Sequence, residues 1–344
     1  MNIGIDFGHY SIKIVALEND KIYSLGEKRI ATEIKGFNLE KLEPSHWVSA
    51  FNSLCDELSL KIKKTDTVIT SIAGSKVSIK PMTTLEMEES ELIDILNFEA
   101  KKHIPLDGSD PVVDFHSLGQ NPKEIDKIDI ILVATTQKII KAHSSIVKLC
   151  GIKNSIFDTD PIALLNCHKY NYDSSENTVD VLINIGLTSS TVVVYGKNQE
   201  IFTREITIAG NSITMELMKK LNTDYESSEI VKIDKGVNSF NGMSNESNEA
   251  SIQISQKNIF SELSDEIRKT LRYYMKSKVG VSYDKFYLSG GSAIMNGLKD
   301  FLNTSLNVDF VNLDPFIKSE LIKQEDNPSK YAIAFGLALR KLEK

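Results

Sequence analysis

An acid closing an apolar run, then a glycine, then a hydroxyl residue, is a pattern able to hold a phosphate and its metal. The chain opens on it: "NIGI" leads into "DFGHYS", and "SIKIVALE" follows. Gly8 lets backbone amides approach a phosphate with no side chain in the way. Ser11 adds a hydroxyl donor. Asp6 can hold a hydrated Mg²⁺, which favours one or two carboxylates together with phosphates and waters. A second copy, "NIGLTSS", stands about 178 residues further on, where Gly186, Thr188 and Ser189 offer a facing set of donors. Its first residue is the amide Asn184, which donates and accepts hydrogen bonds but brings no charge and cannot act as a base. A third turn, "LSGGS", has bare backbone at Gly290 and Gly291, against which a flat base and sugar can lie, with the following helix N-terminus nearby. One such hairpin is ordinarily only a hairpin. Two alike, with a late Gly-Gly turn, read as a duplicated nucleotide cleft. Neither GxxxxGK[ST] nor GxGxxG occurs.

Other chemistry finds less support. The six histidines form no HxH or HExxH pattern, and only His9, inside the first turn, stands near the motifs. No GxSxG is present. The three cysteines, Cys55, Cys150 and Cys167, have no metal-like spacing and read as buried thiols of a reducing compartment. A net charge of −7, with basic residues spread along the chain, argues against nucleic acid. No apolar run reaches the roughly 18 residues of a membrane span, and Asp6 interrupts the first apolar stretch, so a cytosolic protein without a signal peptide is expected.

The elements that must position these turns are legible in outline. A length of 344 residues suits about two domains. "IGIDFG", "SIKIVALE" and "KIYSLGEKRI" predict a three-stranded meander. "SHWVSAFNSLCDELSLKI" predicts a helix capped by Ser45, and "TVITSIAG" a buried strand. From about 78 to 157 the pattern predicts a separate unit: a helix ended by Pro105, strands at "VVDFHSLG" and "IDIILVATT", and a helix stopped by Gly151. "DPIALLNCHKYN" predicts a helix before the second motif. "ITIAGNSITMELMKKLN" predicts a strand and then a helix capped around Asn211. The polar stretch from Asp234 to Gln256 predicts a mobile loop. A long helix at "IFSELSDEIRKTLRYYMKSK", a strand before the glycine pair and an apolar-faced closing helix, "YAIAFGLALRKLE", complete the outline.

The three motifs and their order resemble the actin-like ATPase superfamily along the whole chain. Within it, "NFEAKKHIPLDGSDPVVDFHSL", "IILVATTQKIIKAHSSIVKLCGI", "DTDPIALLN" and the closing helix are similar to the PilM family of type IV pilus assembly. The resemblance implies an α/β, two-lobed actin-like (ribonuclease H-like) fold with an FtsA-type 1C subdomain. It implies subdomain 1A at 1–77 with 158–177 and 325–344, 1C at 78–157, and a second lobe at 178–324, with 2B roughly at 216–262. Nucleotide, ATP or ADP with Mg²⁺, would lie between the lobes.

Motif by motif, the resemblance assigns Asp6, Gly8, Ser11 and Lys13 to the first phosphate turn. It assigns Asn184, Gly186, Thr188 and Ser189 to the second, and Gly290, Gly291 and Ser292 to the adenosine motif. Glu229 and Lys232 in "SEIVK" match ribose and base contacts. Asp160 falls where the superfamily often orients the attacking water, although it could equally cap the helix begun by Pro161. Lys13 could equally be a solvated strand lysine. Hydrolytic relatives have Asp where this chain has Asn184, so ATP or ADP binding with slow or negligible hydrolysis is expected. The resemblance further implies docking of the N-terminal cytoplasmic tail of a PilN-like inner-membrane protein, contact with other cytoplasmic pilus machinery, and a place at the membrane held through that partner. FtsA reaches the membrane through an amphipathic C-terminal helix; with "ALRKLEK" following the helix expected to pack in 1A, membrane contact through a partner is expected instead. An active ATPase or kinase, or a filament-forming FtsA-like protein, is the alternative.

Overall fold

The computed structural model describes residues 1–30, 38–105, 107–197, 199–240, 258–278, 280–319 and 327–340. The chain begins as β1 (Asn2–Phe7), β2 (Ser11–Glu18) and β3 (Lys21–Arg29), followed by α1 (Pro44–Glu57) and β4 (Thr67–Ile72). Next come β5 (Ser78–Leu85), α2 (Glu89–Ala100), β6 (Pro111–Gln120), β7 (Lys127–Thr136) and α3 (Gln137–Leu149). Then β8 (Ile156–Thr159) and α4 (Asp160–Asn171) lead to β9 (Thr178–Ile185), β10 (Ser190–Gly196) and β11 (Gln199–Ile206). After α5 (Gly210–Leu221), α6 (Tyr225–Lys235) and α7 (Ile259–Ser277) come β12 (Ser282–Ser289), α8 (Leu298–Leu306), β13 (Phe310–Asn312) and α9 (Ala332–Ala338).

Two five-stranded sheets repeat one plan. In the first, β3-β2-β1-β4-β8, the meander is antiparallel and β4 and β8 are added parallel. In the second, β11-β10-β9-β12-β13, the pattern is the same. Asn19 and Asp20, at φ +52° and +61°, make the two-residue turn between β2 and β3, a left-handed conformation that Asn and Asp tolerate. The first copy carries its additions between β4 and β8, where the second, between β12 and β13, has only α8. The second copy is enlarged instead between β11 and β12, with α5, α6 and α7, where the first has α1.

Between the sheets lie α4 and α9. Leu164 and Cys167 of α4 and Phe335 and Leu337 of α9 share one apolar cluster with Val15 and Ile69 of the first sheet and Leu182 and Val193 of the second. All seven residues of α9 are buried. The closing helix is therefore covered all round rather than amphipathic, as a helix between two sheets must be. The other face of the first sheet packs Ile3, Ile5, Ile12 and Ile14 on Phe51 and Leu54 of α1 and on Val147 of α3. A third sheet, β5-β7-β6, is antiparallel and has its own core with α2: Leu92, Leu96, Ile130 and Leu132. Of residues 78–157, those up to Thr136 build this sheet, α3 packs on the first sheet, and β8 joins its edge.

Several element ends differ from expectation. Ser45 is not the cap of α1. Pro44 takes the first helical position, which its fixed φ suits, and Glu43 precedes it, its N–H donating to His46 Nδ1 at 2.9 Å. α2 stops at Ala100, five residues before Pro105, in turns that return His103 N and Ile104 N to Ala100 O. α5 begins at Gly210 after Ala209, so Asn211 is inside it. The glycine pair leads into turns, and α8 starts only at Leu298 after Gly297 at φ +74°, so no helix N-terminus follows the pair directly. Asp234 and Lys235 finish α6, and 236–240 form a 3₁₀ turn; the rest of the expected loop, 241–256, lies outside the described residues.

Candidate functional site

All fourteen residues singled out in the sequence line one cavity of ≈ 410 Å³ between the two five-stranded sheets. They arrive there because both hairpin turns sit at the same end of their sheets, where a crevice opens beyond the strand ends.

The first turn is rigidly built. Asp6 and Lys13 are register partners on β1 and β2, and Lys13 Nζ meets Asp6 Oδ2 at 3.3 Å. Lys13 is only 8% exposed, so it is not a solvated strand lysine. Burial lowers its pKa, but the carboxylates of Asp6, Glu27 and Asp160 outweigh that and hold it above the ordinary lysine value. Ser11 Oγ donates to Glu27 Oε1 at 2.6 Å, and Lys330 Nζ meets the other Glu27 oxygen at 2.7 Å. The Trp47 indole of α1 donates to Gly8 O at 2.9 Å, pinning the turn from outside. His9 packs edge-on to Trp47, and burial, helped by the Lys76 charge, lowers its pKa to about 4, so the ring is neutral at pH 7.

Asp160 opens α4, and Thr159 holds the cap position, so the capping role suggested for Asp160 is not the one it plays. Its carboxylate accepts from Ser71 Oγ at 2.5 Å instead. Burial and then the charge of Asp6 raise its pKa to about 8.

The second and third turns are laced together. Gly186 N donates to Ser189 O at 3.1 Å, and Gly210 N and Asn211 N donate to Gly186 O and Leu187 O. Ser292 Oγ also reaches Gly186 O, at 3.2 Å, while Asn184 Oδ1 accepts from Ser289 Oγ at 3.3 Å. Gly290 has φ +96°, and a Cβ there would lie 2.5 Å from Ile185 O, so this position requires glycine. A Cβ on Gly291 would meet nothing within 4 Å, which leaves its backbone open to the cavity. On α6, Glu229 and Lys232 stand one turn apart with oxygen and nitrogen at 2.6 Å, both held by Thr214. Burial lowers the Lys232 pKa, and Glu229 offsets part of that. Ile233 and Ile294, 62% and 48% exposed, stand at the rim.

Sequence reasoning missed Ser71, Glu27 and Lys330 of this lining. Ser71 follows Thr70, which pairs with Ile5, so it lies next to the C-terminal end of the parallel strand β4. A rule attending to the C-terminal ends of parallel strands would have found it. Glu27 and Lys330 carry no local signal, because only strand pairing and the return of the chain at 328–331 bring them in.

The cavity combines buried cations, hydroxyls and open glycine backbone with an apolar rim, the equipment for an anionic ligand with a flat apolar part. Among the described residues no group of three side chains is arranged to hold a metal ion unaided, and no helix is long and apolar enough to cross a membrane.

The fold has solved relatives. A PilM-PilN type IV pilus biogenesis complex matches 98% of this chain and 97% of the other at 20% identity, with a TM-score of 0.80. The ethanolamine utilization protein EutJ from Carboxydothermus hydrogenoformans matches 98% and 89% at 12% identity and 0.54. MreB 5 of Spiroplasma citri, bound to AMPPNP, matches 97% and 93% at 11% identity and 0.51. The architecture is the actin-like ATPase fold. The family model for the type IV pilus assembly protein PilM matches residues 4–342, and the chain belongs to that family.

Proposed function

We propose that the cleft binds ATP or ADP, with the phosphates between the Gly8 and Gly186 turns and the base and sugar against Gly290, Gly291 and α6. One observation carries this reading: residues from five separated stretches of sequence, chosen for nucleotide chemistry, line a single cavity. The AMPPNP bound by the fold relative MreB 5 supports the same class of ligand. Lys13, whose charged form the neighbouring carboxylates favour, supplies a cation for a phosphate, and Ser11, Thr188 and Ser189 supply hydroxyl donors.

The residues fit a Mg²⁺ that arrives with the nucleotide. Asp6, the carboxylate facing the first turn, would hold it through water, and the ion would offset phosphate charge. Asn184 adds no second carboxylate on that side, so hydrolysis is slow or absent. In this reading Asp160, through Ser71, orients water without strongly activating it. Calorimetric titration with ADP and Mg·AMPPNP should show binding that Lys13→Ala weakens by about tenfold or more. Brisk ATP turnover abolished by Asp160→Ala would overturn the weak-hydrolysis part.

The membership of the PilM family supports a second role: docking the N-terminal cytoplasmic tail of a PilN-like inner-membrane protein and linking it to cytoplasmic pilus machinery. That would hold this protein at the cytoplasmic face of the inner membrane through its partner. The subdomains are then 1A at 1–77 with 158–177 and 325–344, 1C at 78–157, and the second lobe at 178–324 with 2B near 216–262. Within these spans 31–37, 106, 198, 241–257, 279, 320–326 and 341–344 lie outside the described residues. Titration with synthetic N-terminal tails, with and without nucleotide, tests the role. Binding of none in either condition would remove it.

A further inference from the structure

Glu27 of β3 and Lys330 of the 3₁₀ turn Pro328–Tyr331 line the cavity, yet none of the three glycine motifs includes them. Strand register sets Glu27 beside Lys13, and Lys13 beside Asp6, so the three stand in a row across β3, β2 and β1. Ser11 lies two residues before Lys13 on β2, on the same face of the sheet. Its Oγ donates to Glu27 Oε1 at 2.6 Å, while Lys330 Nζ meets Glu27 Oε2 at 2.7 Å. Each oxygen of one carboxylate therefore holds one donor. Burial by itself would raise the Glu27 pKa, but the Lys13 charge and the bonds from Lys330 and Ser11 outweigh it. The carboxyl is held below its ordinary value and is ionised at pH 7.

Lys330 comes to this point from the direction of the third turn. Gly290 N donates to the carbonyl of the preceding residue, Ser329, at 3.3 Å, and the Lys330 ammonium stands 5.1 Å from the centre of the Tyr331 ring. The residue thus spans from the glycine pair to the first phosphate turn. Two lysines serve that turn, and each is matched by a carboxylate: Lys13 by Asp6, and Lys330 by Glu27. A carboxylate presents two oxygens of one charged group, as the edge of a phosphate does. The donors gathered on Glu27, a hydroxyl and an ammonium, are the kind that a phosphate takes.

We propose that Lys330 is a phosphate-binding residue of the cleft and that Glu27 is its internal competitor, an anion that nucleotide phosphate displaces from Lys330 and Ser11. Two effects act in the same direction. The Ser11 hydroxyl has a single proton, so Glu27 and a phosphate cannot both receive it. The charge of Glu27, which faces the cavity, also opposes a phosphate brought against the same donors. Glu27 therefore weakens nucleotide binding, and Lys330 strengthens it.

The proposal rests on the nucleotide reading of the cleft. It is tested by calorimetric titration of the full chain with ADP and Mg²⁺, for wild type, Glu27→Gln, Lys330→Met and Lys330→Arg. Glu27→Gln should bind about tenfold more tightly than wild type, the scale of one hydrogen bond to a charged group. A damaged fold does not give such a gain. Lys330→Met should bind about tenfold more weakly, and Lys330→Arg, which keeps the charge, should recover most of that loss. Unaltered or weaker binding by Glu27→Gln would overturn the proposal. So would Lys330→Met binding as tightly as wild type, a result that does not depend on the Glu27 variant folding. If neither wild type nor Glu27→Gln binds ADP, the reading of the cleft fails and takes this proposal with it.

Discussion

Asp160 shows what a single side chain at this cleft experiences. It is buried, it accepts from Ser71, and burial followed by the Asp6 charge raises its pKa from 3.8 to about 8. Between those values the folded chain binds a proton that the unfolded chain releases, so stability is lost as pH rises from about 4 to about 8. Asp160→Asn removes that loss. In the absence of nucleotide its melting temperature should exceed wild type by ~2 °C or more at pH 9 and converge with it near pH 4. A difference independent of pH would refute the account. The motif residues were legible because a glycine turn writes its chemistry and its shape in the same few letters. Lys13 was not fully legible, since its burial depends on Asp6 lying opposite it across β1 and β2. Glu27 was invisible, since the only fact that brings it to the cleft is which strand pairs with which.

Elements were read well through their middles and poorly at their ends. Apolar periodicity comes from a whole face being buried, whereas an end is decided by one or two local hydrogen bonds, as at Pro44 and Ala100. The closing helix was misjudged for another reason. At seven residues it is too short to display a period, and both its sides are covered. Its packing is at backbone contact: a Cβ on Gly336 would overlap Ala163 O of α4, and one on Gly4 of β1 would overlap Ala334 O of α9. Gly336→Ala should therefore force α4 and α9 apart and cost about 1–3 kcal/mol, read as a lower denaturation midpoint in urea. An unshifted midpoint would mean the two helices can separate freely.

On the scale of the whole molecule, one apolar cluster joins the two lobes through α4 and α9, while the third sheet has a cluster of its own. Native-state hydrogen exchange should show amides of β1 and β9 protected by one common opening. Those of β5, β6 and β7 should exchange through a separate opening of lower free energy. Unequal opening energies for β1 and β9 would contradict a shared core. The placement of additions in the repeated plan has a structural consequence as well. Each five-stranded sheet carries its additional elements at a different crossover, and the same strand order stands beneath both. The third sheet and the cleft can thus be altered separately. The exception is the seam at Gly74, where β4 hands the chain to the third sheet under the carboxylate of Glu205, and where a change in either half is felt by both.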